Sequence, residues 1–147
     1  VKDDRLAARR DAWWSIPDRL DGTGAAVAVM VEEVRGLIDD ASKAKVAQHE
    51  TELDALDARE EQLGTRGSGR KDLEARQRRE LRQFRTEELR FGLATLATRY
   101  REAIVAGDDR RGLLDGVDAL RHTQDALVRN PNEALALQSL FLKLPSL

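Results

Sequence analysis

Two long stretches without proline constrain this chain more than any other feature of its sequence. Residues 23–62 contain no proline and, after Gly24, a single glycine, and residues 71–106 contain no proline and one glycine. Apolar residues recur in both stretches at steps of three and four, the spacing of an amphipathic helix. The pattern therefore predicts two long helices, each with an apolar stripe that needs a partner.

The segment between these stretches, residues 64–70, holds three glycines and no apolar side chain. This composition is typical of a flexible linker. We expect the two long helices to fold back as an antiparallel hairpin, because that arrangement buries both stripes. The net charges are −6 over residues 32–61 and +3 over residues 70–90, which favours pairing between the same two helices.

Shorter helices are predicted on both sides of the hairpin. The first covers residues 2–14 and is expected to break near Pro17, because proline lacks a backbone donor and disfavours a helical residue before it. Another covers residues 113–128. With little aromatic content and an apolar fraction rich in Ala and Leu, the chain favours helix over sheet. We predict one all-α domain over residues 1–147, a helical bundle of about five helices.

The last helix has the clearest local signal. Asn130 is expected to cap it, with Pro131 at the first helical position and Glu133 completing a capping box. The helix body, residues 134–144, is apolar around most of its circumference, which predicts that it is buried. Pro145 is expected to end it.

The sequence contains none of the motifs of an active site. His49 and His122 lie on separate predicted helices and outside any Glu-x-x-His pair, so we interpret both as polar residues on helix surfaces. There is no cysteine, no nucleophile motif and no phosphate-binding loop. We therefore predict a segment without catalytic residues, cofactor, metal or small-molecule ligand. The lack of cysteine and of an apolar run of about 20 residues favours a cytoplasmic protein outside the membrane.

Six short segments resemble the C-terminal domain of bacterial DNA polymerase III delta-prime subunits, of the actinobacterial type. They are residues 9–12 (RRDA), 16–20 (IPDRL), 73–79 (LEARQRR), 85–89 (RTEEL), 96–101 (LATRYR) and 130–135 (NPNEAL). In that family the C-terminal helical domain packs with those of sister subunits into a collar, and an ATPase module carries the nucleotide-site elements upstream. Nothing in this chain matches those elements.

The resemblance implies an oligomerisation domain in a clamp loader, which places a sliding clamp on primed DNA during replication. Its partners would be other clamp-loader subunits, and its contact with DNA would be indirect. For the protein interface we predict Leu137, Phe141 and Leu144 on the last helix, because it is strongly apolar, with Trp13 as a further candidate.

Two alternatives to this function remain open from the sequence. The first is a nucleic-acid-binding helical module that uses the Arg-rich helix 70–90, with Arg76, Arg79, Arg82 and Arg90 as the contacts. The second is a self-associating coiled-coil scaffold, whose mark would be heptads continuing through Gly64.

Overall fold

The protein is described by a computed structural model that covers residues 2–64 and 69–147, with side chains from residue 4 onward. The described residues form five α-helices, namely α1 (Lys2–Arg19), α2 (Gly24–Leu63), α3 (Arg70–Val105), α4 (Leu113–Ala126) and α5 (Glu133–Lys143), and a 3-10 turn at Leu127–Arg129. No strand occurs among these residues. The all-α helical bundle that the sequence predicts is confirmed.

Helices α2 and α3 form the predicted antiparallel hairpin. Arg70 at the start of α3 pairs with Asp57 near the end of α2, and Arg85 pairs with Asp39 farther back along it, each at 2.5 Å. Helix α2 ends at Leu63, and Gly64 follows with a φ of 67°. A coiled coil continuing through Gly64 is therefore not formed. Residues 65–68 of the predicted linker lie outside the described residues.

The core lies at one end of this hairpin. The buried apolar residues of α2 fall between Val27 and Ile38, and those of α3 between Leu89 and Tyr100. Helices α1, α4 and α5 pack around this half, and their buried side chains belong to the same cluster. The other half, residues 39–63 and 70–88, has apolar side chains that are at most partly buried, and it is called the arm. At about 1.5 Å per residue the arm is about 37 Å long.

Helix α1 continues beyond the expected break. It runs to Arg19 with Pro17 inside it. Proline removes the hydrogen bond that the Trp13 carbonyl would accept in an unbroken helix. Pro17 lies two residues before the helix end, so little helix follows the lost bond, and the buried side chains of Trp13, Ile16 and Leu20 hold this turn against the core. The predicted break near Pro17 is therefore wrong.

Helix α5 begins two residues later than the capping pattern predicts. Asn132 is the N-cap, and its side chain accepts a hydrogen bond from the Leu135 N–H at 3.0 Å. Asn130 instead ends the preceding 3-10 turn with a φ of 51°. Asparagine tolerates this left-handed conformation better than most residues, so Asn130 can end the turn while Asn132 caps the helix.

Candidate assembly surface

The four residues predicted for the protein interface are all core residues. Trp13 is 2% exposed and Phe141 1% exposed, and their rings pack edge to face with centroids 6.5 Å apart. Leu137 and Leu144 are also buried. A side chain enclosed by its own chain has no surface to offer a partner. The structure therefore assigns these four residues to the intramolecular core, which corrects the sequence-based assignment.

Helix α5 nevertheless exposes two leucines on its outer face, with the exposed Gln138 and Ser139 between them. Leu135 is 64% exposed and Leu142 is 62% exposed. Residues seven apart lie two turns apart on the same side of a helix, so these two leucines share one face. The expectation that the helix is buried all round is wrong, because its neighbours cover one side alone. Leu135 and Leu142 form what we call the α5 outer stripe.

A partly buried ion-pair network fixes the N-terminal end of α5. The Glu133 carboxylate accepts hydrogen bonds from Arg85 at 2.6 and 3.1 Å and from Arg35 at 3.3 Å. Arg85 also donates to Asp39, so a single guanidinium joins α2, α3 and α5. The hydrogen bonds to Glu133, followed by those to Asp39, raise the pKa of Arg85 above its usual value despite partial burial. Glu133, predicted to close a capping box, thus ties α5 to the base of the arm.

The segment after α5 is held by side chains from α3 and the loop that follows it. The Tyr100 hydroxyl donates to the Pro145 carbonyl at 2.5 Å, and burial raises the pKa of this phenol above its ordinary range. Arg110 donates to the carbonyls of Ser146 and Leu147. The helix that carries the outer stripe is thus fastened at both ends.

Replacing Tyr100 with phenylalanine is expected to lower the free energy of unfolding by about 1 kcal/mol. The change keeps the ring and removes the hydroxyl that satisfies the Pro145 carbonyl. Urea denaturation followed by circular dichroism measures the difference. Thr98→Val serves as a control, since its exposed hydroxyl donates only to the Ala94 carbonyl of its own helix. An equal loss in both variants would contradict a specific role for the Tyr100 hydroxyl.

The two tryptophans are separated by the fold. Trp13 fills the core, whereas Trp14 lies at the surface beneath the Arg99 guanidinium, 5.6 Å from its ring centroid. Arg99 is itself held by both carboxylate oxygens of Asp18 and by the Trp14 carbonyl. Neighbouring residues on a helix point about 100° apart, which lets one enter the core while the other stays outside.

Opposite charges pair along the hairpin as the sequence predicts. In the described residues Arg70 pairs with Asp57, Arg85 with Asp39 and Arg76 with Glu52. Arg76 also approaches Glu80 at 3.5 Å. Of the four arginines proposed for nucleic-acid binding, Arg76 thus forms its ion pairs within the hairpin. Arg79, Arg82 and Arg90 are exposed and form no ion pair with any described residue.

His49 is buried in the seam of the arm, which corrects its interpretation as a surface residue. Its Nε2 lies 3.0 Å from Glu80, and this hydrogen bond is the main cause that lowers the pKa of the Glu80 carboxyl. Gln77 is buried beside it and donates to the His49 carbonyl at 2.9 Å. His122 is exposed, as expected. Across the described ranges no group of acidic or histidine side chains is arranged to hold a metal ion.

No protein-family model, curated protein or solved structure matches this chain. Among the described helices none is both long enough and apolar enough to cross a membrane.

Proposed function

We propose that this chain is a protein-protein assembly domain, and that it serves as the collar domain of a clamp-loader subunit of DNA polymerase III. The observation that carries the proposal is that α5 exposes two leucines to solvent in addition to those it buries. One face holds Leu137, Leu140 and Phe141 in the core, and the other exposes Leu135 and Leu142.

The physical reason is the free energy available from covering the outer stripe. Burying a leucine side chain contributes about 1.5–3 kcal/mol relative to leaving it in water. The Glu133 network and the Tyr100 hydroxyl already hold α5 in place, so a partner would lose little free energy in ordering it. Isolated exposed apolar residues are ordinary on protein surfaces. Leu135 and Leu142 lie two turns apart on the same side of a helix that is held at both ends, so one partner helix could cover both.

The identity of the partners comes from the sequence resemblance to delta-prime collar domains. The proposed partners are sister subunits of the clamp loader, which work in the cytoplasm. In this role the domain performs no catalytic step. It would hold neighbouring ATPase modules in the arrangement that opens a sliding clamp, and its effect on DNA would be indirect.

The decisive experiment is capture of purified clamp-loader subunits of the same organism by the immobilised domain, at physiological and at raised salt. We expect capture that survives raised salt, because an apolar contact is not screened. Leu135→Ser combined with Leu142→Ser should weaken capture at least tenfold, which corresponds to about 1.4 kcal/mol. The melting temperature should stay within about 2 °C of the unmodified protein, since neither side chain contributes to the core.

The matched control is Leu114→Ser, which removes an exposed leucine from α4 and should leave capture unchanged. Equal capture by the double variant and the unmodified domain would contradict the outer stripe as the contact. Failure of the folded, unmodified domain to capture any clamp-loader subunit would contradict the clamp-loader role itself.

A further inference from the structure

An open groove runs between α3 and the turn that precedes α5. It has a volume of about 450 Å³, with Arg82, Thr86 and Arg90 on the α3 side and Leu127, Val128 and Asn130 on the other. A smaller pocket of about 90 Å³ adjoins it and shares Arg82, Thr86 and Asn130. The groove is separate from the α5 outer stripe.

Gln83 and Glu87, which line this groove, hydrogen-bond to each other, whereas its other polar side chains have no partner within the described part of the chain. Thr51, Thr95, Thr98 and Thr123 each donate to the carbonyl four residues earlier in their helices. Thr86, also within a helix, makes no such hydrogen bond, and its hydroxyl is left for a ligand. The side chains of Arg82, Arg90 and Asn130 likewise make no hydrogen bond or ion pair to a described residue.

The acidic residues around the groove are mostly neutralised by other partners. Glu133 is held by Arg85 and Arg35, and Glu88 is paired with Arg9. Glu87 lines the groove and accepts a hydrogen bond from Gln83 at 3.2 Å. Arginines outnumber this single carboxylate, so an anion entering the groove meets a positive potential.

Arg79 extends this set of charges along the same helix. Arg90 lies eleven residues after Arg79 with Arg82 between them, which is about 16 Å at the rise of an α-helix. Because α3 is a continuous helix, its backbone holds the three Cα positions in a fixed row. One strand of B-form DNA carries a phosphate about every 3.4 Å along its axis, so about five phosphates fit alongside the row. We call Arg79, Arg82 and Arg90 the α3 cation row, and Thr86 and Asn130 lie beside it in the groove.

We propose that the α3 cation row binds the phosphate backbone of a polynucleotide without reading its sequence. Guanidinium, hydroxyl and amide groups are the donors that proteins commonly direct at phosphate oxygens. The three arginines supply the charge, and Thr86 and Asn130 supply neutral donors where the groove opens. The inference is independent of the proposed assembly function, because it uses a different surface and a different ligand.

Fluorescence anisotropy with a labelled short DNA duplex tests this inference, with the single strand of the same sequence as a second probe. We expect the affinity to fall with salt, with a slope of about −2.7 in the double-logarithmic plot for three phosphate contacts on the duplex. The triple variant Arg79→Gln, Arg82→Gln and Arg90→Gln should weaken binding at least tenfold and flatten the slope. Thr86→Val should weaken it severalfold at constant net charge.

The matched control replaces three other exposed arginines with glutamine, namely Arg5, Arg101 and Arg111. It changes the net charge by the same amount and should weaken binding less than about threefold. Equal losses of DNA affinity in both triple variants would overturn the proposed binding site, since total charge alone would then explain binding. The inference also fails if DNA does not bind at low salt, if Thr86→Val changes nothing, or if polyglutamate competes as well as DNA.

Discussion

Replacing Phe141 with alanine is expected to lower the free energy of unfolding by about 3–5 kcal/mol. The ring is 1% exposed and packs edge to face against Trp13, so its removal leaves a cavity where α1 and α5 meet. Loss of a buried aromatic side chain combines the lost transfer free energy with the cost of that cavity. Urea denaturation followed by circular dichroism gives the change, and Phe141→Leu should cost clearly less because it refills part of the volume.

The comparison with Leu142→Ala separates core from surface on the same helix. Leu142 is the neighbour of Phe141 and is largely exposed, so its replacement should change the free energy of unfolding by no more than about 0.5 kcal/mol. If Phe141→Ala unfolds like the unmodified protein but fails to bind a partner, Phe141 belongs to an interface and the observed packing does not persist in solution.

Replacing Gly92 with alanine should lower the free energy of unfolding by about 3 kcal/mol, although alanine is the better helix former. Gly92 is buried in α3, and a Cβ at this position would overlap the indole of Trp13. Relief of the overlap requires that the ring leave its place or that α1 and α3 separate, and overpacking of this kind costs about 1–3 kcal/mol, occasionally more. Thermal and urea denaturation measure the loss.

Gly36→Ala is the matched control for this effect. Gly36 also lies inside a long helix, but an added Cβ meets nothing within 4 Å. There the helix preference alone applies, and the variant should be more stable by about 0.5–1 kcal/mol. In a Trp13→Leu background the cost of Gly92→Ala should fall, because the smaller side chain leaves room. An unchanged cost in that background would show that the loss arises from a contact other than Trp13.

The residues of the outer stripe and of the cation row do not differ in type from their neighbours in sequence. Leu135 and Leu142 stand in the same helix as Leu137 and Phe141 and have the same apolar character, so composition did not rank one pair above the other. Arg76 and Arg79 belong to the same Arg-rich run, yet Arg76 pairs with Glu52 and Arg79 pairs with no described residue. In both cases the distinguishing fact is the identity of a neighbour that is distant in sequence.

His49 and Asn130 illustrate the same limit at single residues. A histidine in a charged helix is most often exposed, but the antiparallel register of the hairpin brings Glu80 and Gln77 against His49 and encloses it. Asn130 is a residue type that often caps a helix N-terminus, but here it ends the preceding 3-10 turn. In each case the residue type alone does not determine which structural role the side chain takes.

The sequence by itself determined the elements whose causes are local. Proline-free stretches with an apolar step of three and four set the long helices, Thr23 caps α2 through the Ala26 N–H, and glycines end α2 and precede α3. Tertiary structure decided which face of α5 is covered, which tryptophan is buried, whether Pro17 ends its helix and which arginines remain unpaired. The physical reason is that periodicity defines a stripe within one helix, whereas burial and ion pairing depend on what the rest of the chain places against it.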